Sequence, residues 1–169
     1  MHVTRPDFLG SQIRAALCAL HDDLNAADPL LAQRAHAYSS SLASGGALEE
    51  YFASDWGYPI FTLPAWLAQT FGHASHRPFL RAVTYATLNG YLFTRLLDDV
   101  MDADRSTDLQ LLPLTAFFHS RFERTFARYF TPRHAFWKTF DAAWLGASAA
   151  AVRDAALRDI SLATFQRVS

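Results

Sequence analysis

The stretch from Phe79 to Asp104, FLRAVTYATLNGYLFTRLLDDVMDAD, decides the fold of this chain. Apolar side chains recur along it at the three- and four-residue spacing of an α-helix, and Pro78 suits the first turn of such a helix. We therefore predict one long helix that ends in a DDxxD cluster of Asp98, Asp99 and Asp102. Three carboxylates at the end of an apolar helix are costly unless a cation or solvent receives them.

Helical periodicity also covers most of the other residues in the 169-residue chain, whereas the alternating β-branched runs typical of strands are missing. An irregular aromatic segment, residues 56–61, interrupts the pattern before Pro64 starts a new helix. The predicted class is all-α, with residues 1–169 forming one helical-bundle domain. A first helix is expected to follow Ser11 as its N-cap, and a second to run from Asp28-Pro29 to Leu42. Further helices are expected at 47–54, 65–71 and 109–130, from Thr131-Pro132 through Trp144, and at 149–168.

Composition limits the classes of partner. Fifteen basic and sixteen acidic residues give a net charge of −1, so the chain lacks the excess of positive charge that is typical of nucleic-acid-binding proteins. No apolar stretch is long enough to predict a transmembrane span, and the start of the chain lacks the pattern of a secretory signal. The single cysteine, Cys18, excludes an internal disulfide, and its apolar neighbours predict a buried, inert thiol. We expect a cytoplasmic protein.

The spacing of the three carboxylates predicts that two of them point in one direction and the third in another. Residues four apart lie on the same face of a helix, so Asp98 and Asp102 are expected to share one space, with Asp99 about 100° away. Magnesium binds oxygen ligands, often one or two carboxylates together with substrate phosphates. An apolar helix side that ends in such ligands suits a substrate with a hydrocarbon tail and an anionic head. That side also carries Tyr91, Thr94 and Arg95.

The segment from Gly90 to Asp102, GYLFTRLLDDVMD, resembles the first aspartate-rich motif of class I isoprenoid synthases, which include polyprenyl synthases and terpene cyclases. The likeness is strongest between Phe79 and Asp104 and extends more loosely through Trp144. It implies a helical bundle, Mg²⁺ as cofactor and an allylic prenyl diphosphate as substrate. The implied reaction is ionisation of that diphosphate, followed by cyclisation or prenyl transfer.

The resemblance also implies roles for individual residues. Asp98 and Asp102 map onto the catalytic metal ligands, and Asp99 belongs to the same metal site or assists it by hydrogen bonding. Phe93 and Thr94 map onto the prenyl-chain pocket, to which we add Tyr91 from the same side of the helix. Arg105 is a weaker candidate for pairing with diphosphate oxygens, because an arginine there also offsets the neighbouring aspartates.

Two family elements are not found in the sequence. No second DDxxD or NSE-type metal motif follows Asp108, and Gly45-Gly46 is followed by Ala-Leu-Glu-Glu where chain-elongating enzymes carry a basic element. The second absence tilts the prediction towards a cyclase. The first keeps open an alternative, a non-catalytic, truncated helical scaffold that binds a partner or a lipid. Under either reading, the missing elements indicate that residues 1–169 form an incomplete isoprenoid synthase-like domain.

Two further patterns carry predictions. The aromatic stripe of Phe117, Phe118, Phe122 and Phe126 is expected in the core; if it were left uncovered, it would favour a homodimer or a completing partner chain. The sequence His21-Asp22-Asp23 contains an HD pair of the kind found in metal phosphohydrolases. The other ligands of that fold cannot be placed, so we expect a solvated helix face there.

Overall fold

The computed structural model describes residues 7–44, 46–53, 58–72, 76–101 and 108–157. Within these residues the secondary structure is helical and contains no strand, which confirms the all-α prediction. A 3-10 turn, Leu109–Leu111, precedes α6. The helices are α1 (Asp7–Ala27), α2 (Pro29–Leu42), α3 (Leu48–Ala53), α4 (Tyr58–Thr70), α5 (Arg77–Met101), α6 (Leu112–Ala127) and α7 (Ala135–Leu157).

The predicted long helix, α5, lies at the centre and contacts α1, α4 and α6. Complete burial of one large apolar side chain contributes about 1.5–3 kcal/mol. The buried leucines of α5 therefore make a large contribution to the stability of the fold. The last described residue of α5 is Met101, and residues 102–104 of the predicted helix lie outside the described part of the chain. The buried residues of α5 are Leu80, Thr84, Ala86, Leu88, Asn89, Leu92, Leu96 and Asp99.

The first helix begins at Asp7, before the predicted N-cap Ser11, because the buried Leu9 continues the apolar stripe by one more turn. The prediction of a buried Cys18 is wrong, since this thiol is exposed. The buried stripe of α1 contains Ala16 and Leu20, and a residue two positions after Ala16 lies about 200° around the helix from it.

The prediction that Pro64 starts a new helix is also wrong. A single helix, α4, runs from Tyr58 to Thr70 with Pro64 inside it. An interior proline costs about 3 kcal/mol through its missing N–H and its clash with the preceding turn. Phe61 on one side of the proline and Ala65 on the other are both buried, so packing of both halves on the core offsets this cost.

The aromatic stripe of α6 packs partly in the main core and partly against α7. Phe118 is fully buried, and Phe122 and Phe126 contact the Phe140 ring of α7 with centroids 5.3 and 5.9 Å apart. The four side chains of the stripe are buried or partly buried, and the homodimer or completing partner chain stays a prediction. The two helices predicted at 131–144 and 149–168 are one continuous helix as far as Leu157.

The turn into α2 follows the sequence signal closely. Asp28 is the N-cap, and its carboxylate accepts hydrogen bonds from the backbone N–H groups of Leu30 and Leu31. None of the described helices combines the length and the apolar content that crossing a membrane requires.

Gly90 allows α5 and α6 to approach closely. A Cβ atom at this position would lie 3.2 Å from two carbons of the Phe122 ring, whereas one at Gly146 of α7 would meet nothing within 4 Å. Alanine gains up to about 1 kcal/mol over glycine inside a helix. We expect Gly146→Ala to gain this stability. The free energy of unfolding of Gly90→Ala should be about 1–2 kcal/mol lower than that of Gly146→Ala, because the Phe122 ring must shift. Urea unfolding of the two variants measures the difference, and equal stabilities would contradict the tight contact.

Candidate functional site

A cavity of about 330 Å³ lies between the C-terminal half of α5 and α7. Most of its lining is apolar, and its polar groups come mainly from the last turns of α5. The lining side chains are Tyr91, Phe93, Thr94, Arg95, Leu97, Asp98 and Met101 of α5, and Trp144, Ala147, Ser148 and Ala151 of α7.

The cavity exists because α7 rests on large rings and then continues with small side chains. Trp144 packs against Phe93, His119 and Phe122, with ring centroids 5.2, 5.0 and 5.4 Å apart. One and two turns after Trp144, α7 offers only the small Ser148 and Ala151. Rings hold the helices apart and small residues leave the gap unfilled, so a hollow opens beside the end of α5.

Asp98 lies at this cavity, and its side chain is half exposed. Its Oδ2 atom is 3.6 Å from Nη1 of Arg95, one turn earlier, which is a loose and partly solvated ion pair. Asp102, the expected second member of the stacked pair, and Arg105 lie outside the described residues. Asp98 is thus the described carboxylate at the cavity.

Asp99 points into the protein, in a direction different from that of Asp98, as the helix geometry predicts. Its side chain is only 10% exposed and does not line the cavity. Its Oδ1 atom is 2.8 Å from Nη2 of Arg95, and its Oδ2 atom accepts a hydrogen bond of 3.0 Å from the Tyr38 hydroxyl of α2. Both oxygens of Asp99 are therefore engaged inside the protein.

Charge and burial act together in this network. Burial raises the pKa of the Tyr38 phenol above its ordinary value, and the charge of Asp99 raises it further. Partial burial acts to lower the pKa of the Arg95 guanidinium, but Asp99 and the smaller contributions of its other neighbours together raise this pKa above its ordinary value. Arg95 is therefore a positive charge that Asp99 holds against α5, and its side chain also lines the cavity.

The expected pocket residues Tyr91, Phe93 and Thr94 all line the cavity. The Tyr91 hydroxyl forms a short hydrogen bond with the Tyr51 hydroxyl of α3. Burial raises the pKa of Tyr91, and this hydrogen bond raises it further. The Thr94 hydroxyl donates to the backbone carbonyls of Gly90 and Tyr91, so it is already satisfied on its own helix.

Sequence reasoning missed the far wall of the cavity and the polar groups behind α5. Trp144 belongs to a run of aromatic residues, and Ala147 and Ala151 belong to an alanine-rich segment. Neither pattern indicates which helix these residues face. Tyr38 and Tyr51 carried no signal, because they come from α2 and α3 and meet α5 only through the tertiary fold.

Asp99→Ala tests whether this carboxylate is structural. The change leaves the Tyr38 hydroxyl buried without its acceptor and removes the charge partner of Arg95, so we expect a loss of about 2–3 kcal/mol in the free energy of unfolding. Asp98→Ala is the matched control, and because this neighbour is half exposed we expect a change below about 0.5 kcal/mol. Urea unfolding gives both values. A similar, small effect for both variants would contradict the buried network.

No group of three or more His, Cys, Asp and Glu side chains in the described part of the chain is arranged to hold a metal ion. Comparisons with protein-family models, with curated proteins and with solved structures give no match to this chain.

Proposed function

We propose that the cavity between α5 and α7 receives the hydrocarbon chain of an allylic prenyl diphosphate, whose diphosphate is released with the help of Mg²⁺ for cyclisation or prenyl transfer. The observation that carries the proposal is the half-exposed carboxylate of Asp98 beside a mostly apolar cavity. An apolar hollow with a few polar groups at one side is the usual form of a small-ligand site.

Asp98 is a suitable donor for magnesium. Its carboxylate is open to solvent, and its ion pair with Arg95 is long, so a cation can approach it. Asp102 joins it in the proposal because it comes four residues later in the sequence, the spacing that puts two side chains on one face where a helix continues. Asp99 does not join it, since one oxygen accepts from Tyr38 and the other pairs with Arg95. When bound, Mg²⁺ neutralises charge on the departing diphosphate.

The protein side chains supply binding and a protected environment. Arg95 offers a fixed guanidinium at the polar end of the cavity and can donate hydrogen bonds to diphosphate oxygens. The bond between the allylic carbon and the diphosphate oxygen breaks, and both electrons leave with the diphosphate. The faces of Phe93 and Trp144 can stabilise the carbocation that remains, by cation–π attraction. No protein nucleophile takes part.

The volume of the cavity favours a short chain. About 330 Å³ is at the low end of the range of about 300–1,000 Å³ for ligand pockets. We therefore expect dimethylallyl or geranyl diphosphate to be used in preference to farnesyl diphosphate.

Diphosphate release by the purified chain tests the proposal. We expect release from a short allylic diphosphate in the presence of Mg²⁺ and none when EDTA removes the metal. Ala147→Phe places a ring in the cavity and should abolish release. Ala149→Phe, two residues further on the same helix and outside the cavity lining, should preserve it. Absence of release from all three substrates would overturn the proposal.

A second candidate is binding without catalysis, by a scaffold that holds a prenyl or lipid chain. The engagement of Asp99 by Arg95 and Tyr38 favours it, because it withdraws one carboxylate of the cluster from metal binding. In that case the protein binds a prenyl diphosphate in equilibrium dialysis, with or without Mg²⁺, and releases no diphosphate. Ala147→Phe would then weaken the binding and Ala149→Phe would not.

A further inference from the structure

We propose that His21 and His36 form a binding site for a divalent transition metal ion of the zinc type, separate from the cavity between α5 and α7. His21 lies on α1 and His36 on α2, and both side chains are exposed. Nδ1 of His21 and Nε2 of His36 are 3.0 Å apart. The centroids of the two rings are 4.7 Å apart, and the ring planes are tilted by 42°.

This separation is close to that of two imidazole ligands on one metal ion. Nitrogen atoms bound to tetrahedral zinc at about 2.0–2.1 Å each are about 3.3 Å apart. The two nitrogens of the pair therefore need to separate by only about 0.3 Å to share an ion. Without metal, one of the two nitrogens carries the proton of their hydrogen bond. On metal binding the ring that carried this proton gives it to solvent and takes up another on its opposite nitrogen, so both rings bind as neutral imidazoles and no net proton is released.

A cavity of about 260 Å³ beside the pair gives room for the remaining ligands. It is lined by both histidines and by oxygen-bearing side chains, Ser39, Ser40 and Glu49. Glu49 pairs with Arg14 at 2.8 Å in an exposed salt bridge, an interaction of little net energy that a metal ion can displace. The described residues form no set of three metal ligands, so we assign two imidazole ligands and leave the other positions to water.

The ligand type separates this site from the proposed magnesium site. Imidazole nitrogens suit zinc, copper and nickel ions, whereas Mg²⁺ prefers oxygen ligands. The two histidines come from consecutive helices, so an ion bound to both links α1 to α2 in the folded state only. Zinc should therefore raise the stability of the protein by mass action, and Mg²⁺ should not do so through this pair.

Thermal unfolding in a zinc titration tests the site. For the native chain we expect the unfolding temperature to rise with added Zn²⁺. In His21→Asn and His36→Asn the zinc concentration needed for the same rise should increase about tenfold or more. His76→Asn, a control at an exposed histidine outside this cavity, should respond as the native chain does. No rise in the native chain, or an equal rise in all variants, would overturn the assignment.

A measurement on the native chain keeps the test independent of how the variants fold. Diethyl pyrocarbonate modifies exposed histidines, and peptide mass spectrometry locates the modified rings. We expect Zn²⁺ to protect His21 and His36 and to leave His76 reactive, with no protection by Mg²⁺. Equal modification of His21 and His36 with and without Zn²⁺ would contradict the site. Because this readout does not involve diphosphate release, its outcome is separate from that of the proposed function.

Discussion

Asp98→Asn is expected to lower the rate of Mg²⁺-dependent diphosphate release by about 10²-fold or more, which corresponds to about 3 kcal/mol of transition-state stabilisation. Asparagine keeps the size of the side chain but loses the negative charge that attracts the metal. The folding stability should change by less than about 0.5 kcal/mol, since the Asp98 side chain is half exposed and its pairing with Arg95 is loose.

The control for this variant is Asp141→Asn, which makes the same chemical change at an exposed position of α7 outside the cavity lining. It should retain the native rate. The concentration of Mg²⁺ needed for half-maximal release should rise in Asp98→Asn and not in the control. If Asp98→Asn released diphosphate at the native rate, the role of this carboxylate would be excluded, even if the protein proved to be an enzyme.

The free energy of unfolding is expected to fall steeply above about pH 10, because three partly or fully buried tyrosines keep their protons only in the folded state. Burial raises the pKa of Tyr38, Tyr85 and Tyr91 above the ordinary value. The hydrogen bond of 2.6 Å from Tyr85 to Asp23 of α1 raises the pKa of Tyr85 further. Asp99 has the same effect on Tyr38.

The sign follows from proton release. Unfolded tyrosine loses its proton above about pH 10, so unfolding then releases protons, and stability decreases as the pH rises. Each phenol that stays protonated in the folded state costs up to about 1.4 kcal/mol of stability by about pH 11. Because Tyr85 and Tyr91 are partly exposed, we expect a total loss of about 2–4 kcal/mol from the three.

Urea unfolding at a series of alkaline pH values measures this loss, and tyrosinate absorbance of the folded protein shows which phenols ionise. Tyr38→Phe should reduce the loss, because a phenylalanine has no proton to release. Tyr129→Phe is the control, since the Tyr129 side chain is exposed. A free energy of unfolding that is constant up to about pH 11 would contradict the buried hydroxyl network.

The outcome for α5 shows what periodicity predicts well. Its apolar spacing placed Leu88, Leu92 and Leu96 in the core, and helix geometry separated the directions of Asp98 and Asp99. The errors lie where packing overrides a local signal. Pro64 lies inside α4, and the chain after Trp144 continues as one helix.

The sequence by itself determined the helical class, the presence of the long helix α5 and most of its apolar face, because these depend on residue spacing within one segment. Only the tertiary structure decided that α7 closes a cavity against Phe93 and Asp98, and that Asp99 is held by Tyr38. It also brought His21 and His36 within hydrogen-bonding distance. These contacts join different helices, and their geometry depends on how rings and small side chains fit between the helices, which residue spacing along one helix does not specify.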